Sequence, residues 1–98
     1  MENSDRELLE FAAKAAGFYF YSYENSLAEN KWGSGKRWNP ITDDGDALRL
    51  AVNLHLLYGI NTDILNHYLA LELPSDEPLA AIRRAIVRAA AEIGRNMK

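Results

Sequence analysis

With 98 residues, 48% of them hydrophobic, the chain has room for one domain with a modest core and not for two. It contains no cysteine, which excludes disulfides, thiolate zinc sites and a cysteine nucleophile, and its net charge of -3 has the wrong sign for a general nucleic-acid binder. No stretch approaches the roughly 20 apolar residues of a membrane span, and the start MENSDRELLE lacks a basic segment followed by an apolar one, so a cytoplasmic protein is expected.

Ser4 and Glu7 make an S-x-x-E capping pattern, and Leu8, Leu9, Ala12, Ala15 and Ala16 follow at helical spacing. A helix is predicted from Asp5 to Ala16, with Gly17 as its stop and Arg6, Glu10 and Lys14 on its solvated side. Phe18 to Tyr23, FYFYSY, favours a strand and places Tyr19, Tyr21 and Tyr23 on one side. Two turn-like groups, Glu24 to Ser26 and Gly33 to Gly35, flank a weaker strand near Leu27 to Trp32, which predicts a hairpin.

Arg37 to Leu54, RWNPITDDGDALRLAVNL, joins this aromatic third to a helical middle. Residues before proline are pushed toward extended backbone, and a Thr or Asp ahead of a helix caps its free N–H groups. A helix is therefore predicted from near Asp43, with Ala47, Leu48, Leu50, Ala51 and Leu54 on its apolar face and Asp46, Arg49 and Asn53 outside. His55 to Ile60 reads either as a continuation ending at Gly59 or as a strand. Leu65, Leu69, Leu71 and Leu73 alternate as in a strand, while Thr62 and Asp63 suit a helix cap; two strands turning at Asn61 to Asp63 are the expectation.

Pro78 suits the first turn of a last helix, along which Leu79, Ile82, Ile86, Ala89, Ile93 and Met97 line one face and Arg84, Arg88, Glu92 and Arg95 the other. Its many alanines permit close approach to a neighbour. The predicted fold is a single α+β domain over residues 1–98, helix, hairpin, helix, hairpin, helix, with an antiparallel sheet of about four strands packed by three helices.

Three blocks, Asp5 to Gly17, Arg37 to Leu54 and Ala80 to Met97, together resemble a family of short proteins of tailed phages and prophages, the phage ABA-sandwich type. The WNP-x-TDDGDALRLAV run is the most specific of them. The resemblance implies a sheet between helical layers and a phage or prophage setting; the family is mostly without an assigned activity, so it implies no catalytic residues.

Asp43, Asp44 and Asp46 are clustered as hard cations prefer, but they lack the calcium-loop spacing and sit at a helix start, where capping and dipole compensation account for them. His55 and His67 have no nucleophile motif beside them, and Gly33-Ser34-Gly35-Lys36 is too short for a phosphate loop. No catalytic residue, metal site or cofactor is expected, and an enzyme is not expected. The aromatic set Tyr19, Tyr21, Tyr23, Trp32 and Trp38 is read first as core or sheet-cover packing, next as a surface for a protein partner or self-association, because Tyr and Trp concentrate at interface hot spots, and last as a stacking platform for a nucleotide or nucleic acid.

The expected function is that of a non-enzymatic phage or prophage accessory protein that binds a bacterial host protein, with a counter-defence role. The alternatives are an oligomeric sponge for a small nucleotide signal and a structural or assembly component of a phage. No membrane or nucleic-acid partner is expected, and a homo-oligomer is left open.

Overall fold

The computed structural model describes residues 5–17 and 38–97. Among them the chain forms four α-helices and no strand: α1 Asp5–Ala16, α2 Asp44–Asn53, α3 Thr62–Glu72 and α4 Pro78–Arg95. The described part is thus all-helical, which overturns the α+β expectation of a sheet packed by three helices. The Phe18 to Lys36 hairpin lies outside the described residues.

The second predicted hairpin is replaced by a turn and a helix. Thr62–Glu72, TDILNHYLALE, carries three leucines, an alanine and a glutamate, all good helix formers, and β-branched residues only at Thr62 and Ile64. Its leucine alternation coincides with a helical repeat: Leu65 is buried, and Ile64, Tyr68 and Leu69 pack against the core beside it. Two pairs four apart define one helix face.

α4 organises the rest. It buries Ala81, Ala85, Ile86, Val87, Ala89, Ala90, Ala91 and Gly94, and α1, α2 and α3 each pack on it. The buried surface is mostly alanine, whereas the larger Leu79, Ile82 and Met97 of the predicted apolar face are exposed. Small side chains let helix axes approach closely, and at Gly94 the α1 backbone fills the space a side chain would need.

Contacts along α4 give the directions of its neighbours. Asp5 pairs with Arg84, the Phe11 carbonyl abuts Gly94, and Lys14 donates to the Met97 carbonyl, so α1 runs parallel to α4. Tyr68 meets Glu92 and Glu72 meets Arg88, so α3 runs antiparallel. α1 contributes Leu8, Leu9, Ala12 and Ala13 to the core, α2 contributes Ala47, Leu50 and Ala51, and Trp38, Leu56 and Leu65 complete it.

Gly17, at φ 81°, ends α1 where the sequence placed the stop, and Pro78 opens α4 at its first turn. α2 begins one residue later than Asp43 and buries Ala47, Leu50 and Ala51 as expected, but Leu48 is exposed and Asp46 buried, the reverse of their predicted placement.

Candidate functional site

The aspartate-rich segment stands at the start of α2. Asp43 is the N-cap of α2, and its carboxylate accepts from the Asp46 N–H at 2.7 Å. Asp46, only 7% exposed, accepts from the Asn39 N–H at 2.9 Å and from Arg49 at 2.7 Å. This extends a capping box: the carboxylate three residues into the helix reaches back past the cap to the residue before Pro40. Asn39 closes the turn, its Oδ1 accepting from the Ile41 N–H at 3.0 Å and its carbonyl from the Asp43 N–H at 2.9 Å. Asp44 points outward to Arg83 at 2.6 Å, and Arg83 also donates to the Ile41 carbonyl at 2.7 Å. All three carboxylates therefore have structural partners, and Arg83 ties the turn to α4. Among the described residues no group of three or more His, Asp or Glu is placed to hold a metal ion.

The arginine row on α4 is engaged with the neighbouring helices. Arg88 lies over the Tyr68 ring, 4.7 Å from its centroid, and reaches Glu72 at 2.6 Å. Tyr68 donates to Glu92 at 2.7 Å, and Arg84 bridges to Asp5 at 3.0 Å. Arg95 covers the Phe11 ring at 4.8 Å. Burial, and then the hydrogen bond to Glu92 and its charge, push the Tyr68 hydroxyl above its ordinary pKa of 10.0, against the pull of Arg88 and Arg95. These groups fasten α3 and α1 to α4.

The connection from α2 to α3 is different. Leu54 caps α2, and His55 follows at φ 58°, in the left-handed region where a non-glycine residue is uncommon. The His55 N–H donates to the Val52 carbonyl at 3.2 Å and the Leu56 N–H to the Ala51 carbonyl at 2.9 Å, the paired bonds of a Schellman ending. Leu56 is fully buried against the core, as the residue after such an ending commonly is. The helix thus stops at His55 and not at Gly59.

Beyond Leu56 the side chains face outward. Leu57 is 47% exposed, Tyr58 61% and Ile60 88%, three large apolar groups within four residues. Their backbone is held at both ends. Asn61 Nδ2 donates to the Leu54 carbonyl at 2.7 Å, and the Thr62 hydroxyl to the Gly59 carbonyl at 2.9 Å. Gly59 turns the chain at φ 98°, and the His55 and Tyr58 rings meet edge to face at 5.9 Å. Leu48 and Val52, one turn apart on the outer side of the preceding helix, are exposed as well.

Of the sequence-predicted aromatic set, Tyr19, Tyr21, Tyr23 and Trp32 lie outside the described residues. Trp38 is 6% exposed and packs in the core. His67 stands on α3 with its ring edge to face against Tyr68 at 5.0 Å. The apolar loop was not among the candidate sites read from the sequence. Its available signal was LLYGINTD, an apolar run ending in glycine and asparagine before a helix cap.

No family model, no curated protein and no solved structure matches the chain. Among the described residues no helix is long and apolar enough to cross a membrane.

Proposed function

We propose that this protein works by binding another protein, with the 57–60 loop as its contact point. The supporting observation is the pairing of exposure with fixation: Leu57, Tyr58 and Ile60 face solvent on a backbone tied by Asn61 and Thr62 and anchored by Leu56. A large apolar cluster left in water is unfavourable for an isolated molecule and favourable at an interface. Fixing the loop before contact removes part of the ordering entropy that binding otherwise costs. Tyr58 fits the hot-spot preference for aromatic anchors, and Ile60 supplies a projecting aliphatic group.

The resemblance of the Asp5 to Gly17, Arg37 to Leu54 and Ala80 to Met97 blocks to phage proteins is what supports a protein of the bacterial host as the partner, in a counter-defence role. The test is capture from bacterial lysate by the tagged protein, with quantitative mass spectrometry of what is retained. Tyr58→Ser and Ile60→Ser are expected to lose the specific partner, and a surface control at Glu10→Gln to keep it. Tyr21→Ala and Trp32→Ala, run alongside, report on the aromatic segment. Retention of the same partner by both loop variants would remove the loop from the function.

A further inference from the structure

We propose that α3 is a strap that opens from α4 as a unit, held shut by an ion-and-ring clasp centred on Tyr68 and Arg88. The inference begins with the uneven distribution of buried side chains. α1 buries four of its twelve residues and α2 four of its ten, but α3 buries only Leu65 of its eleven. Ile64, Tyr68 and Leu69 are partly covered, and Leu71 is 58% exposed. Apolar burial therefore holds α3 weakly for its length, and segments with few buried contacts open at free energies below that of global unfolding.

What fastens its C-terminal half is polar. Tyr68 donates to Glu92 at 2.7 Å, and Arg88 both covers the Tyr68 ring at 4.7 Å and grips Glu72 at 2.6 Å. Arg84 stands 3.9 Å from the same Glu72 oxygen. Tyr68, Glu72, Arg88 and Glu92 join α3 to α4, and Arg84 pairs more closely with Asp5 of α1 than with Glu72, so releasing the first four leaves the α1 pair in place. On the far side, the hydrogen bonds of the 73–77 connection are local ones, Leu73 to the Leu69 carbonyl and Glu77 to the Ser75 hydroxyl. At the near side, Asn61 and Thr62 fasten the start of α3 to the 54–60 loop, which places the hinge there. The Arg88 and Glu72 side chains are 32% and 18% exposed, within reach of dissolved ions. Salt therefore weakens this docking more than it weakens the alanine-lined contact of α1 with α4.

Native-state hydrogen exchange read by mass spectrometry on the full chain tests this, with peptides covering α3 and α4 compared in one sample. Amides of α3 are expected to exchange at least tenfold faster than the core amides of α4. Raising sodium chloride from about 0.1 to about 1 M, which shortens the screening length from ~10 to ~3 Å, is expected to widen that gap severalfold. Tyr68→Phe keeps the ring and removes the bond to a charged acceptor, and is expected to widen it about tenfold at low salt. Exchange of α3 and α4 at a common rate would overturn the strap, and a gap indifferent to salt would overturn the ionic clasp, whatever the variant does.

Discussion

Gly94 of α4 and the carbonyl of Phe11 in α1 leave no room between them for a side chain: a Cβ on Gly94 would overlap the Phe11 oxygen and lie 3.3 Å from the Ala15 nitrogen. The obstacle is backbone on a packed helix, which cannot swing aside as a side-chain tip does. Gly94→Ala gains up to about 1 kcal/mol of helix propensity, yet must push α1 away from the alanine surface. The expected net result is a loss of about 2 kcal/mol or more, read as a lower urea midpoint. A midpoint equal to or above that of the unchanged protein would show that α1 is free to shift.

The left-handed His55 predicts the opposite sign. A non-glycine residue in that region costs about 1–2 kcal/mol. His55→Gly relieves the backbone and gives up the edge contact with Tyr58. Stability is expected to rise by about 0.5–1 kcal/mol in thermal or urea unfolding. A fall would assign the ring contact more weight than the backbone.

Arg83 and Asp44 form one ion pair but are not equivalent. The Asp44 side chain is 67% exposed, and that of Arg83 is 20% exposed and also satisfies the Ile41 carbonyl. Asp44→Ala is therefore expected to cost about 0.5 kcal/mol or less. Arg83→Ala is expected to cost about 1–2 kcal/mol, because it leaves a partly buried carbonyl without its donor. Equal costs for the two variants would place all the energy in the ion pair and none in the tie to the turn.

Tyr68 gives the chain an alkaline sensitivity of known sign. With the folded-state pKa raised by burial and by Glu92, the unfolded chain loses its proton first as pH rises. The tyrosine's contribution is fully present below about pH 10 and disappears as pH climbs through the higher folded value. Urea titrations from about pH 9 to about pH 11 are expected to show a steeper decline for the unchanged protein than for Tyr68→Phe, which lacks the titrating group. Parallel declines would show that the hydroxyl is not perturbed.

Local signals carried the helix ends well. The periodicity of Leu8, Leu9 and Ala12, with Gly17 behind it, gave the span of α1, and Pro78 gave the start of α4. The reading of Asp43 as a cap was likewise legible, since the residue type and the turn before it point to the same role. α3 was not, because Leu65 and Leu69 satisfy a period of two and a spacing of four alike, and only their packing against α4 separates the two. The candidate loop was invisible for a related reason. Whether Leu56 or Leu57 enters the core depends on where α2 stops, and the stop is a histidine in a conformation that usually advertises itself with glycine. Asp46 departs from the outer face that its charge predicts because the turn holding Asn39 supplies it with a buried partner.

The parallel arrangement of α1 and α4 bears on how the molecule is made. Asp5 and Arg84 are 79 positions apart, so the earliest described helix finds its companion only after almost everything between them has left the ribosome. Helical proteins tend to assemble quickly because their neighbours in space are neighbours in sequence, and distant pairings slow that assembly. Until α4 emerges, the side of α1 that packs on it lacks that partner, and during synthesis that helix is where a chaperone would act or a wrong chain would dock.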